Sequence, residues 1–266
     1  ESENYKGLTQ KQDWQFRKAK FAASDTVAVI IGNRKYPRGM PFDPYARNDA
    51  LAIEQFSLQA LRIPKENIYL RINATKGVME GLIDVELPNV VVKGQTDLIF
   101  YYSGHGIAVG KDAKILPSDT ERTHAKIIGY SRNDLLQKFA NLEARSVTVI
   151  LDACFTGTTK SGKALLPGKP VIPTARNIDP ASNALVITAS HADEIAWSSD
   201  AYGMSLMTYH LLKGLSGEAD TNGDDVILSR EVENYIKKHV NKDARTYFSH
   251  NQRPLVNGKD RILIEY

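Results

Sequence analysis

The feature that most constrains this 266-residue chain is a rhythm of short apolar runs, each followed by a helical pattern. The first run, Thr26-Val-Ala-Val-Ile-Ile-Gly32, is apolar almost throughout. A strand of that kind has both faces covered, as strands of parallel sheets do. Comparable runs follow at Asn67-Ile-Tyr-Leu-Arg-Ile72, Thr96-Asp-Leu-Ile-Phe-Tyr-Tyr102, Ser146-Val-Thr-Val-Ile-Leu151, Ala184-Leu-Val-Ile-Thr188 and Arg261-Ile-Leu-Ile-Glu265. Helical candidates lie between them near residues 45–61, 75–86, 132–142, 203–215 and 229–240. The last carries Val232, Tyr235, Ile236, His239 and Val240 as an i, i+3, i+4, i+7, i+8 stripe behind a Ser229 N-cap. The alternation predicts an α/β domain with a six-stranded, mostly parallel sheet sandwiched between helices. The domain is expected over residues 26–266, after a polar N-terminal extension over 1–25. A Gly- and Pro-rich stretch, 156–183, reads as a mobile loop.

Composition narrows the function classes. Hydrophobic residues at 42% and charged residues at 24% supply a sizeable core. Lys plus Arg is 34 and Asp plus Glu is 31, a net +3 that is too mild to argue for nucleic acid. No apolar run approaches the roughly 18 residues that cross a bilayer, so no membrane partner is expected. The single cysteine, Cys154, makes an intrachain disulfide impossible and suits a reducing compartment. The chain begins at Glu1, so a secreted form stays open beside the favoured cytoplasmic one.

Ligands of doubly wound sheets bind beyond the carboxyl ends of the strands. Two consecutive strands here run into reactive residues. The third leads into Ser103-Gly104-His105-Gly106, and the fourth into Asp152-Ala153-Cys154-Phe155-Thr156-Gly157. Neighbouring strands lie about 4.8 Å apart, so adjacency would bring His105 and Cys154 to one crevice. A free thiol, with a pKa near 8.5, is mostly protonated at neutral pH. An imidazole beside it removes that proton and later protonates a leaving amine. The amides of Cys154 and Gly106 are candidate donors to the oxyanion of an acyl-transfer intermediate.

The segments Tyr102-Ser103-Gly104-His105-Gly106 and Asp152-Ala153-Cys154-Phe155-Thr156-Gly157 resemble the histidine and cysteine boxes of caspase-like peptidases, in the metacaspase branch and its prokaryotic relatives. Their separation of 49 positions is near the roughly 50 of caspases. The resemblance runs from about residue 26 to the end. It implies a caspase-haemoglobinase fold and a Cys-His dyad, acting on polypeptides and needing no cofactor for the chemistry. Asp152 stands where caspases usually carry Gln, and Asn48-Asp49-Ala50 resembles the metacaspase segment that supplies a second acid. With Ser103, these acids would line a pocket for the substrate's first residue and favour Arg or Lys over Asp. Asp43 lies roughly where caspases place a specificity arginine, so nothing basic is evident there. Self-processing would fall at Lys160, Lys163 or Arg176, whereas Lys169 precedes Pro170 and is a poor site. Metacaspases are mostly monomeric, and a monomer is expected.

One further motif stands apart. Asp220, Asn222, Asp224, Val226 and Glu231 follow the ligand spacing of an EF-hand loop, which makes calcium a candidate ligand. Against it, Asp225 occupies the position that such loops give to glycine. Two other readings compete with a cysteine endopeptidase: a catalytically idle caspase-like regulatory or scaffold module, and a small-molecule acyl hydrolase with a closed pocket. Segment 190–203 is a candidate edge for pairing with an extended peptide, with Trp197 beside it.

Overall fold

The computed structural model describes residues 14–37, 39–165, 183–191 and 193–266. The chain runs β1 (Thr26–Gly32), α1 (Ala46–Gln59), β2 (Ile68–Ile72), α2 (Lys76–Glu80), a π-helical turn (Gly81–Glu86), α3 (Leu87–Val90) and β3 (Asp97–Val109). It continues through β4 (Asp112–Ile115), α4 (Ala125–Ile128), β5 (Tyr130–Ser131), α5 (Arg132–Asn141), β6 (Ser146–Cys154) and β7 (Ala184–Thr188). The remaining elements are β8 (Ser198–Ser199), β9 (Met204–Ser205), α6 (Leu206–Lys213), β10 (Val226–Leu228), α7 (Ser229–Phe248), β11 (Leu255–Gly258) and β12 (Ile262–Glu265).

The main sheet has the order β11-β7-β6-β3-β1-β2, parallel except for β11, with β4 and β5 extending the far half of β3. Helices cover both faces, as the apolar runs require. Tyr101, Ile150 and Cys154 face the layer of α1, α6 and α7, whereas Phe100, Tyr102, Leu151 and Ala153 face the layer of α2 and α5. This is the two-residue alternation of strands buried on both sides.

Several boundaries differ from those expected. Strand β3 does not stop at Tyr102 but runs on to Val109, because β4 folds back on it antiparallel from Gly106 to Val109. His105 and Cys154 therefore lie inside strands and not in loops after them. Helix α7 reaches Phe248, and its N-cap is Leu228; Ser229 is the first helical residue and sends its hydroxyl to Asp260. The sixth sheet strand is Leu255–Gly258, not 261–265. The latter run pairs β12 with β10 in a separate ribbon that buries Ile264 against the core and leaves Ile262 exposed. Arg261 reaches back to the carbonyls of Asn183 and Val147. Residues 156–165 of the expected mobile loop form a defined hairpin, and 166–182 lie outside the described residues. No helix among the described residues is long and apolar enough to cross a membrane.

Helix α1 sits unusually close to the sheet at Gly32. A Cβ there would meet the Ala46 carbonyl at 2.5 Å and the Ala50 Cβ at 2.7 Å. Gly32→Ala must push α1 off β1, and overpacking of this kind costs about 1–3 kcal/mol. Thermal unfolding of that variant is expected at a lower temperature than wild type, and an unchanged midpoint would show that α1 can give way freely.

Candidate active site

Strands β3 and β6 pair in parallel with Ser103 opposite Asp152, Gly104 opposite Ala153 and His105 opposite Cys154. In-register residues of parallel neighbours point to the same face, and so do residues two apart on one strand. Ser103, His105, Asp152 and Cys154 thus form two adjoining rows on the α1/α6 side of the sheet. All four are almost fully buried.

The imidazole of His105 is held on three sides. Its Nε2 lies 2.8 Å from the Pro41 carbonyl, its ring stacks on Tyr36 at 4.5 Å between centroids, and its backbone N–H donates to the Tyr36 hydroxyl. A carbonyl accepts only, so Nε2 carries the hydrogen and Nδ1 the lone pair. Burial lowers the pKa of His105, an effect that Asp43 and the Pro41 carbonyl only partly oppose. The ring is therefore neutral at pH 7. The Cys154 Sγ lies 2.9 Å from the Thr156 hydroxyl and 3.2 Å from that of Thr158, and these hydroxyls are themselves 2.8 Å apart. These, and not His105, are its hydrogen-bond partners among the described residues.

Gly106 has the conformation of a strand, and the reason for glycine there is space. A Cβ would lie 2.7 Å from the Phe155 ring. The N–H and carbonyl of His105 point toward Tyr36 and Leu116, so strand alternation turns the Gly106 N–H to the other edge, toward Cys154.

One row deeper, the acids converge. Asp49 on α1 accepts the Ser205 N–H at 2.9 Å and the Ser103 hydroxyl at 2.8 Å. Asp152 accepts hydroxyl hydrogen bonds from Ser205 and from Thr208, the latter at 2.6 Å. Asp43, which lies roughly where caspases place a specificity arginine, is part of the same cluster. Its side chain covers the first amides of α1, those of Tyr45 and Ala46. Arg47, two residues before Asp49 in the chain, is exposed. All three carboxylates are buried.

At their centre stands the ammonium of Lys160. Its Nζ is 2.8 Å from Asp152 Oδ1, 2.8 Å from Ser103 Oγ, 3.5 Å from Asp49 and 3.8 Å from Asp43. Burial alone would lower the lysine pKa, but the three carboxylates outweigh it and hold the group charged well above its ordinary range. One cation does not balance three acids. Burial raises the pKa of Asp49 to about 7; Lys160 opposes the rise, and Asp152 and Asp43 add to it.

Lys160 arrives on a hairpin. Thr158 bridges Ala164, Thr159 N–H donates to the Lys163 carbonyl, and Gly162 N–H donates to the Thr159 carbonyl to close a turn with Gly162 at φ +79°. Leu165 anchors the hairpin base among Met40, Ile107, Leu116 and Ala125, and Arg122 binds the Leu165 carbonyl at 2.7 Å. The Lys160 carbonyl accepts from Ser198 N–H at 3.2 Å. Gly162 packs against Trp197, which stacks on Phe248 at 4.5 Å. Lys163 is exposed, and Arg176 and Lys169 lie outside the described residues.

The 220–231 loop is tied within itself. Asp220 accepts the amides of Gly223 and Asp225, Asn222 that of Asp224, Asp224 that of Val226, and Glu231 that of Leu228. Asp225 takes φ +62° where glycine would be usual. Among the described residues, no group of three or more His, Cys, Asp or Glu side chains is arranged to hold a metal ion.

The raised pKa of Asp49 has a definite sign in stability. Between about pH 4 and pH 7 the folded chain keeps a proton that the unfolded chain has lost. Stability therefore falls with rising pH across that window, by at most about 1.4 kcal/mol per pH unit for one proton. The lowered pKa of His105 acts in the opposite direction, so the informative quantity is a difference between variants. Asp49→Asn should lack the decline, and its unfolding midpoint should gain on wild type from pH 4 to pH 7. Parallel midpoint-versus-pH curves would show that Asp49 is ionised throughout.

A family model described as the caspase domain matches residues 25–259. No curated protein shows significant similarity to the chain. The match spans most of the sequence, including the sheet, the His105 and Cys154 strands and the acidic cluster, and the chain belongs to the caspase family of cysteine peptidases.

Proposed function

We propose that the protein is an endopeptidase that cleaves polypeptides after basic residues, with Cys154 as nucleophile and His105 as general base. The observation that carries this reading is the ammonium of Lys160 lodged among Asp43, Asp49, Asp152 and Ser103, one strand row from the Cys154–His105 pair. A pocket that holds an internal lysine is built for the side chain of a basic substrate residue. In a dry site, carboxylates favour such a cation over the carboxylate that caspases select.

The chemistry follows from the groups already placed. Nδ1 of His105 takes the thiol proton, and the thiolate attacks the carbonyl carbon of the scissile bond. The amides of Gly106 and Cys154 are the candidate donors to the oxyanion, and each would have to leave the β3–β6 ladder to serve there. The resulting imidazolium returns its proton to the leaving amine, and water then releases the acyl group from sulfur by the same base. Before this can start, the thiol must leave the hydroxyls of Thr156 and Thr158. The substrate must also replace Lys160.

The hairpin thus occupies the pocket in a resting form. Lys160 lies in a turn, whereas a peptide under attack lies extended along an edge such as the Ser198 segment. Its Lys160–Ser161 bond is held away from the attack geometry until the hairpin opens. Released, that bond and the Lys163–Ala164 bond are the self-processing sites within the described residues, and Arg176 is a further one.

Cys154→Ala and His105→Ala should each abolish turnover of fluorogenic peptides ending in Lys or Arg, with losses of at least about a hundredfold. Lys160→Ala should raise turnover of the same peptides by vacating the pocket. Preferred turnover after Asp would overturn the pocket assignment, and wild-type levels in Cys154→Ala would overturn the nucleophile. Intact-mass measurement of wild type beside Cys154→Ala tests self-processing. Fragments ending at Lys160, Lys163 or Arg176 are expected from the wild type alone.

A further inference from the structure

The carboxylates of the pocket share a geometric trait. Each commits at least one oxygen to the protein. Asp43 Oδ1 accepts the amides of Tyr45 at 3.2 Å and Ala46 at 3.1 Å, so only Oδ2 is left for the pocket. Asp152 Oδ2 is taken by the hydroxyls of Ser205 and Thr208, and Oδ1 faces the lysine. Asp49 Oδ1 accepts the Ser205 amide, and Oδ2 serves both the Ser103 hydroxyl and the lysine side. Three single oxygens and one hydroxyl therefore converge on one point from different directions. Asp43 and Asp152 have their other oxygen filled by two hydrogen bonds each, and Asp49 has its other oxygen turned to the Ser205 amide.

That arrangement separates the two basic side chains. A guanidinium is planar and binds best to a carboxylate that offers two oxygens in its plane, whereas an ammonium is a compact charge with three donors splayed about one nitrogen. Tyr101 and Thr208, joined at 2.6 Å between hydroxyls, and Ser205 surround the acids, Ser205 and Thr208 through their bonds to Asp152, and all three are buried. Asp43 completes the cage. Its Oδ2 is a buried oxygen with no hydrogen bond in the fold, and it lies 3.8 Å from Nζ.

We infer that this pocket selects lysine over arginine, and that Asp43 is the specificity-determining residue that closes a one-point cage for an ammonium. The inference rests on the endopeptidase reading for its substrate but has a test that does not need catalysis. Asp43→Asn keeps an acceptor for the Tyr45 and Ala46 amides and replaces only the free oxygen with an N–H donor. Helix α1 should stay capped while the ammonium loses its third wall.

The kinetic test uses the unplugged Lys160→Ala protein and two reporter peptides that differ only in a terminal Lys or Arg. The Lys peptide should be favoured in kcat/KM by roughly tenfold or more, the range a shaped pocket commonly supplies. Adding Asp43→Asn should cut the Lys value by about an order of magnitude and the Arg value less, so that the ratio falls toward one. Equal or better turnover of the Arg peptide would overturn the selectivity. An unchanged ratio in the double variant would overturn the part given to Asp43.

The second test reads the resting protein. Lys160→Arg should unfold at least about 2 °C below wild type, because the guanidinium finds no fork in the cage. Lys160→Met serves as the uncharged control of similar length. An unfolding midpoint of Lys160→Arg equal to or above wild type would overturn lysine selectivity even if no peptide is cleaved. Absence of cleavage with a destabilised Lys160→Arg would instead count against the endopeptidase reading and leave the cage intact.

Discussion

Parallel, in-register pairing of β3 with β6 is the constraint on which the rest of the site depends. A one-residue slip would turn either strand's site residues to the opposite face. It would place Ala153 beside His105 and send Asp152 into the α2/α5 layer. The register is fixed by burial on both faces: Tyr101 and Ile150 fill one core, and Phe100, Tyr102, Val149 and Leu151 fill the other. Neither strand can shift without exposing a row of large side chains. The chemistry-bearing residues therefore inherit their positions from packing that has no chemical role.

Charge supplies the second layer of organisation. Buried carboxylates are costly unless hydrogen-bonded or paired. Here amides, hydroxyls and one ammonium share that task, and the sum still leaves an excess of negative charge. Such a cluster is poorly suited to be a purely structural device, since apolar residues of similar volume commonly do as well. It is well suited to receive a cation, which Lys160 supplies from the chain itself. The hairpin that carries Lys160 starts only a few residues after Cys154. The thiol, its hydroxyl partners Thr156 and Thr158, and the lysine consequently sit on one short, continuous segment.

Family membership and the inferred selectivity rest on different scales of structure. The sheet order, the two boxes and their spacing belong to the caspase domain as a whole. The way each acid is held belongs to particular hydrogen-bond donors: the Ser205 and Thr208 hydroxyls on Asp152, the Ser205 amide on Asp49, and the Tyr45 and Ala46 amides on Asp43.

Much of this was written in local pattern. Continuous apolar runs such as 26–32 and 146–151 can only be strands covered on both sides, and their spacing leaves room for crossover helices, so the sheet and its layers were legible. His105 and Cys154 were legible because each follows such a run among small neighbours. Asp49, Ser103 and Asp152 needed the family resemblance as well. Other features depended on contacts distant in sequence. The Asn- and Gly-containing run 255–258 carries too weak a pattern to announce an edge strand, whereas the stronger run 262–265 pairs elsewhere, with 226–228. Asp43 reads only as a position with nothing basic where caspases place a specificity arginine, and one of its oxygens binds the Tyr45 and Ala46 amides. The free oxygen acquires meaning only where α1 meets the pocket. Lys160 reads as a processing site or a solvated loop lysine, since nothing in Thr158-Thr-Lys-Ser-Gly162 reveals that its side chain turns inward. Sequence thus fixed which residues carry reactive groups and which faces they share. The tertiary structure decided which charges meet, because electrostatic partnership depends on distance in space and leaves no periodic trace along the chain.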